Sequence, residues 1–259
     1  MGFECRSESE TWRKINVSTV EEIQMGKNRC AAIILAAGQG KRMGTKIQKQ
    51  YLELNGKPVL YYSLAVFEKS TLIDEIILVV GADQEAYCRR EIVDKYGFRK
   101  IKQIVEGGAE RYHSVYHGLC SVNKEMDYVF IHDGARPFVN EEMLERAYEM
   151  VCVEEACVVG MPVKDTIKIV DEQLYARETP PRKDVWLVQT PQVFSYRIVM
   201  EAYQKLLERE EDLTVQVTDD AMVVEVFLEH SVKMIKGSYE NIKITTPEDL
   251  KIAAAFMEE

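Results

Sequence analysis

Residues 30–38 read CAAIILAAG, an apolar run closed by a glycine. A run this short, apolar at every position and therefore on both faces, reads as a strand buried on both sides, as in a parallel sheet covered by helices. The same grammar recurs outward along the chain. The helical pattern PVLYYSLAVFEKS (58–70) precedes the strand EIILVV (75–80), and the helical DQEAYCRREIVDKYG (83–97) precedes IKQIVEGG (101–108). ERYHSVYHGLCSV (110–122), DYVFIHDGARPF (127–138), NEEMLERAYEMVCVEE (140–155) and CVVGMPV (157–163) continue the alternation. Asn140, followed by Glu141, Glu142 and an apolar stripe, marks a helix start. Strands alternating with helices predict an α/β domain with a mostly parallel sheet flanked by helices.

The alternation breaks over about 164–186. There DTIKIV (165–170) and QLYARETPPRKDVW (173–186) predict two short strands around Asp171 and Glu172. A two-stranded excursion with little apolar surface does not stand alone, so we read it as a protruding β-arm that leans on a second subunit in a homodimer. The chain then returns through VWLVQTPQVF (185–194), a helix near 196–210, an acidic helix from Thr218, the strand SVKMIKG (231–237) and a helix after Pro247. Residues 29–259 are expected to form one domain. Residues 1–28 read as a dispensable N-terminal extension, and Met25 is a candidate start of the essential chain.

Composition narrows the partners. The 259 residues carry 43 acidic and 33 basic side chains, a net charge of -10. A field of that sign repels duplex phosphate, so nucleic acid is not an expected partner, whereas a small anion needs only a local basic pocket. No apolar run approaches the ~18 residues of a membrane span, and residues 1–24 lack the apolar centre of a secretory signal. The cysteines, Cys5, Cys30, Cys88, Cys120, Cys152 and Cys157, form no C-x-x-C pair and read mostly as reduced core residues of a cytoplasmic protein.

Ligands of open α/β sheets bind at the carboxyl ends of the strands. The first such end is AAGQGKRMG (36–44). It fails the dinucleotide pattern G-x-G-x-x-G, whose third glycine would fall at Met43. It also fails the Walker A ending, since Gly44 is followed by Thr45 and Lys46. What remains is a glycine loop backed by Lys41, Arg42, Lys46 and Lys49, a local cationic cluster suited to a polyphosphate.

LAAGQGKRMG (35–44) followed by KQY (49–51) resembles the nucleotide-binding signature of the polyol-phosphate cytidylyltransferases. The resemblance extends in order through GGAERYHSV (107–115), HDGARPF (132–138), PVKDT (162–166), QTPQVF (189–194), VTDDA (217–221) and ENIKITTPEDL (240–250), and so covers about 28–259. It implies a Rossmann-like nucleotidyltransferase that uses CTP, a polyol phosphate and Mg²⁺ or another divalent cation. Ala36-Ala37-Gly38, Gly134-Ala135 and VTDDA favour the methylerythritol-phosphate branch. A ribitol-5-phosphate or other polyol-phosphate enzyme is the alternative, and a non-catalytic nucleotide-binding scaffold is the alternative of another class.

By the same resemblance, Arg42 and Lys49 face the reacting α-phosphate, and Ala36, Ala37, Gly38, Gly40, Gly108 and Ser114 hold the nucleotide. Asp133 binds the metal. Arg136, Thr166 and Thr190 bind the second substrate, with Arg182 and Lys243 as its catalytic cations. Thr166 and Arg182 lie on the predicted arm, so a partner subunit is expected to take part in the site. The pattern departs from the family at Ala109, where a polar residue is common, and Arg111 is left without a role. Asp219 and Asp220 read as a helix cap in preference to a metal pair. His113 and His117 stand four apart but lack a third ligand and the Glu of H-E-x-x-H. His132 reads as structural, because an ionised phosphate nucleophile needs no base.

Overall fold

A computed structural model describes residues 28–38, 48–213 and 216–258. The chain enters through β1 (Cys30–Ala36), makes a short hairpin from β2 (Glu53–Leu54) and β3 (Lys57–Pro58), and continues into α1 (Val59–Lys69) and β4 (Ile73–Val80). Then come α2 (Glu85–Cys88), β5 (Ile101–Glu106), α3 (Arg111–Ser121), β6 (Tyr128–Asp133), α4 (Glu141–Glu154) and β7 (Ala156–Pro162). The arm strands β8 (Ile169–Val170) and β9 (Ala176–Glu178) lead to β10 (Trp186–Ser195) and α5 (Tyr196–Glu208). The chain finishes with α6 (Asp220–Leu228), β11 (Lys233–Lys236) and α7 (Pro247–Phe256).

Seven strands form the central sheet in the order β11-β7-β10-β6-β1-β4-β5. β1 pairs in parallel with β4 and β6, β4 with β5, and β7 with β11. β10 runs antiparallel between β6 and β7. The sheet is therefore mixed, and its one reversed strand joins the two parallel blocks. Its pairing with β7 breaks register between Val188 and Gln192.

Burial follows from strand parity. Ala32, Ile34 and Ala36 of β1, with Leu78 and Val80 of β4, face the layer that contains Leu60, Leu64 and Phe67 of α1 and Met143, Leu144 and Ala147 of α4. The alternate residues Ala31, Ile33, Ile77 and Val79 face α3, α5 and α6 through Val115, Leu119, Val199, Tyr203 and Val224. Period-2 alternation thus delivers apolar side chains to both faces, which explains why β1 and β7, inside the sheet, carry no charged or polar side chain. Each large side chain so buried contributes about 1.5–3 kcal/mol.

Local signals set the helix ends. Asn140 caps α4 by accepting the Met143 amide at 3.0 Å, and Thr246 and Asp249 form a reciprocal capping box on α7. The segment expected to be a single helix over 83–97 divides into α2 and a π-helical stretch, Arg89–Asp94. The arm turns at Asp171, whose Oδ1 accepts the amides of Gln173 and Tyr175, both at 3.0 Å. Ile169, Val170, Leu174 and Tyr175 on the arm are exposed, as are Leu187 and Val188 on the adjoining half of β10. Among the described residues, no helix is long and apolar enough to cross a membrane. Cys30, Cys88 and Cys157 are buried, whereas Cys120 and Cys152 are exposed, which departs from the expected core placement.

Candidate active site

Because β1, β4, β5 and β6 run in parallel, their carboxyl ends open on one edge of the sheet, and a cavity of about 400 Å³ lies there. Ala36, Ala37 and Gly38 from the end of β1 form one wall, with Lys49 and Gln50 beside them. Gly108, Ala109, Arg111 and Ser114 line the opposite side, and Asp133, Ala135 and Lys243 close the remaining end.

The glycines after β5 are there for space. A Cβ on Gly107 would stand 2.5 Å from the Ala37 Cβ and 2.7 Å from the Ser114 Oγ, and one on Gly108 would collide with His113. Only glycine lets this loop pass so close to β1 and α3. Ser114 then fixes the loop, because its Oγ accepts the Gly108 amide at 3.1 Å and donates to the Glu110 carbonyl at 3.3 Å. Across the cavity, the Gln50 amide nitrogen donates to the Ala36 carbonyl and to Gln48 Oε1, which fastens the turn carrying Lys49 to the end of β1.

Asp133 is the electrostatic centre. Lys243 Nζ lies 2.9 Å from Oδ2, Arg136 Nε 3.5 Å from Oδ2, and Arg111 Nε 3.8 Å from Oδ1. Burial alone would raise the Asp133 pKa, but the charges of Lys243, Arg111 and Arg136 hold it well below the usual carboxylate range. The carboxylate is ionised, with three cationic side chains against it.

Arg111 connects this centre to a second, deeper charge. Its Nη1 and Nη2 donate to Asp220 Oδ1 and Oδ2, both at 2.7 Å. Asp220 is fully buried and also accepts from the buried Tyr203 hydroxyl. Burial opposes the Arg111 charge, but Asp220 outweighs it and raises the arginine's pKa. The two aspartates of VTDDA therefore have different tasks. Asp219 caps α6 through the Met222 amide (3.0 Å) and accepts from Gln192 Nε2 (3.0 Å), as the sequence suggests, while Asp220 turns inward to Arg111.

Beneath the cavity floor, the Asp133 amide donates to Thr190 Oγ1 at 3.1 Å, and that hydroxyl lies 3.0 Å from His132 Nδ1. His132 Nε2 faces the Arg136 carbonyl at 3.2 Å. His132 is fully buried, which lowers its pKa to about 4. The Arg136 guanidinium donates through Nη1 to the Asn241 carbonyl at 2.8 Å, and its own pKa is lowered by burial.

The residues expected at the site thus fall into three groups. Ala36, Ala37, Gly38, Lys49, Gly108, Ser114, Asp133 and Lys243 line a single cavity. Arg136 and Thr190 sit against its floor, held by protein partners. Thr166 and Arg182 are exposed at the base of the arm and do not line the cavity; Arg182 Nη1 donates to the Lys164 carbonyl at 3.0 Å. Gly40 and Arg42 lie outside the described residues, as do Lys41 and Lys46. The sequence reading passed over the functional placement of Arg111, Asp220 and Gln50. All three belong to quoted motifs, so the signal was present, but nothing local indicates that Arg111 meets a carboxylate 109 positions away. Among the described residues, no group of three or more His, Cys, Asp or Glu is placed to hold a metal by protein ligands alone.

Residues 30–259 match the family described as IspD, 2-C-methyl-D-erythritol 4-phosphate cytidylyltransferase. A protein of that name from Lachnospira eligens is 50% identical over 226 residues, 87% of this chain and 98% of its own length. Another from Alkaliphilus metalliredigens is 46% identical over 230 residues, 89% of this chain and 93% of its own. The crystal structure of 4-diphosphocytidyl-2C-methyl-D-erythritol synthase from Anaerococcus prevotii superposes with a TM-score of 0.79 at 35% identity, covering 90% of this chain and 97% of that one. The Thermus thermophilus 2-C-methyl-D-erythritol 4-phosphate cytidylyltransferase does so at 0.70 and 28% identity, covering 88% and 98%. The shared architecture is the Rossmann-like nucleotidyltransferase fold, a mostly parallel sheet flanked by helices.

Proposed function

The chain belongs to the 2-C-methyl-D-erythritol 4-phosphate cytidylyltransferase family, and we propose that it transfers CMP from CTP to 2-C-methyl-D-erythritol 4-phosphate. The products are 4-diphosphocytidyl-2-C-methyl-D-erythritol, an isoprenoid precursor, and pyrophosphate. A phosphate oxygen of the polyol attacks the α-phosphorus of CTP. The new P–O bond forms as the bond to the β-phosphate oxygen breaks, and the electron pair leaves with pyrophosphate.

Positioning and charge neutralisation carry most of such a reaction. The observation that supports this reading best is the cavity itself, lined by Gly108, Ser114 and Lys49, with Lys243 and Arg111 against Asp133. Ala36, Ala37, Gly38, Gly108 and Ser114 hold the cytidine half, with Gly40 of the loop. Lys49 and Arg42 stabilise the charge that accumulates on the α-phosphate. Lys243 faces the incoming polyol phosphate, and the basic surroundings let two anions approach one another.

The reaction calls for a divalent cation, and the donor set fits Mg²⁺, which typically takes one or two protein carboxylates and completes its shell with phosphate oxygens and water. Asp133 would be that carboxylate, and the cation would supply charge compensation for the departing pyrophosphate. Arg136 and Thr190 shape the floor of the polyol-phosphate site. Thr166 and Arg182 complete it from the arm of a second subunit, a homodimer favoured by the exposed Ile169, Val170, Leu174 and Tyr175. We assign the protein to the cytoplasm. Residues 29–259 constitute the catalytic domain in this reading, and removal of residues 1–24 is expected to leave activity intact.

The direct test is pyrophosphate release with CTP and either 2-C-methyl-D-erythritol 4-phosphate or ribitol 5-phosphate. Preference for the first is expected. Preference for ribitol 5-phosphate, or release from neither, overturns the reading.

A further inference from the structure

Thr190, His132, Asp133 and Arg136 form a chain of contacts whose two ends have fixed donor and acceptor roles. The Asp133 backbone N–H is only a donor, so at 3.1 Å it occupies a lone pair of Thr190 Oγ1. The Arg136 carbonyl is only an acceptor, so the His132 nitrogen 3.2 Å away, Nε2, carries a hydrogen. A neutral imidazole with its hydrogen on Nε2 presents a lone pair at Nδ1. The Thr190 hydroxyl, 3.0 Å from Nδ1, donates to it.

With its hydrogen on Nε2 the imidazole gives one polarity, Asp133 N–H to Thr190 Oγ1, Thr190 O–H to His132 Nδ1, and His132 Nε2–H to the Arg136 carbonyl. The Thr190 carbonyl also faces the ring, and a hydrogen on Nδ1 would break the middle link. All of its side-chain members lie out of solvent, with His132 0% and Thr190 3% exposed. No water competes for these bonds, and each one left unmade carries the full cost of an unsatisfied buried group. The chain joins β10 to the end of β6 and to the turn after it. It fixes the backbone at both ends of the Asp133–Arg136 turn, whose side chains lie 3.5 Å apart.

We propose that Thr190 and His132 are positioning residues that set the placement of Asp133 and Arg136 through this one-way hydrogen-bond chain, with the His132 imidazole held as its Nε2–H tautomer. The proposal rests on the reading of Asp133 and Arg136 as groups that serve the phosphates. It gives Thr190 a task distinct from contact with the substrate, since its hydrogen is already committed to His132.

Two measurements test it. The first is ¹⁵N NMR of the histidine side chains in the full-length protein without ligand, with the His132 signal assigned by its loss in His132→Phe. An Nε2–H tautomer is expected, with an Nδ1 resonance that moves in Thr190→Val; a hydrogen on Nδ1 overturns the chain. The second is a kinetic double-mutant cycle with CTP and 2-C-methyl-D-erythritol 4-phosphate. His132→Phe keeps a ring against Phe67, which lies 5.2 Å away between centroids, and removes both nitrogens.

Thr190→Val and His132→Phe are each expected to lower kcat/KM for the polyol phosphate by about 10–100-fold, the usual effect of losing a group that orients a reactive one. The double variant is expected to be no worse than either single one, and Thr190→Ser to recover most of the loss. Losses that multiply in the double variant, or His132→Phe at the wild-type rate while Thr190→Val falls, overturn the proposal in favour of direct substrate contact by Thr190. Should His132→Phe fail to fold, the His132 signal is assigned as the one that survives in His113→Gln, His117→Gln and His230→Gln, and its response to Thr190→Val still decides, because a relay requires Nδ1 to lose its donor. Lys49→Ala serves as the control on the parent reading. If it retains full turnover, the assignment of the catalytic site fails while the NMR result continues to judge the chain itself.

Discussion

Asp220→Asn removes one negative charge from the buried pair with Arg111 and changes almost nothing in volume. In the wild type both guanidinium nitrogens donate to Asp220 at 2.7 Å, and the Tyr203 hydroxyl donates to the same carboxylate. The substituted amide has one acceptor oxygen for donors that previously shared two, and its NH₂ opposes an arginine N–H. Breaking a buried pair on one side typically costs about 3–5 kcal/mol. Arg111 retains 30% side-chain exposure where it lines the cavity, so water recovers part of its solvation and the loss is expected toward the lower end. At roughly 2–4 °C per kcal/mol for chains approaching this size, a loss of about 3 kcal/mol lowers Tm by about 6–12 °C. Urea denaturation followed by circular dichroism gives the free energy, and differential scanning calorimetry gives Tm. A loss under about 1 kcal/mol would refute the claim that this pair is buried and fully engaged. The triple variant Arg111→Met, Asp220→Leu, Tyr203→Phe removes both charges of the pair and the hydroxyl bonded to it, and it is expected to recover most of the stability. Turnover is expected to stay low in it, because the positive charge 3.8 Å from Asp133 is gone.

Lys49→Ala and Arg42→Ala are each expected to reduce pyrophosphate release by about 10²–10³-fold, the scale for one preorganised charge-stabilising group, with an unchanged far-ultraviolet spectrum; wild-type rates exclude the assigned roles. Asp249 accepts from the Thr245 and Thr246 amides and the Thr245 hydroxyl. Although burial opposes it, these bonds lower its pKa. A carboxyl lowered on folding stabilises above the ordinary carboxylate range and loses that contribution as pH falls through its folded value. Asp249→Asn is therefore expected to cost about 1 kcal/mol at neutral pH and to flatten the acid limb of the stability curve, as read by urea midpoints from pH 7 downward. A parallel acid limb in wild type and variant would contradict that assignment. Ile169→Lys, at the exposed arm, is expected to shift sedimentation from dimer to monomer and to lower activity together; an unchanged dimer would remove the arm from the interface.

The β/α alternation was legible in the sequence because its causes are local. Apolar runs such as 30–37 and 76–80 commit both faces of a strand to burial, and Asn140 and Thr246 satisfy helix amides within their own first turns. The cavity wall was legible for the same reason, since Gly107 and Gly108 stand directly after a strand and allow a close approach that a Cβ would block. The direction of β10 was not. WLVQTPQVFS is apolar enough to enter the sheet either way, and only pairing with both β6 and β7 makes it antiparallel.

The same limit applies inside the site. The motifs supplied Asp133, Lys243, Arg111 and Asp220, but their identities alone leave open which cation meets which carboxylate. That choice belongs to the tertiary structure, because a bidentate pair such as Arg111–Asp220 forms only after α3 and α6 have been packed on one face of the sheet. Thr190 shows the difference most clearly. The family resemblance placed its hydroxyl with the second substrate, and only folding shows that the same hydroxyl lies buried between His132 and the Asp133 amide.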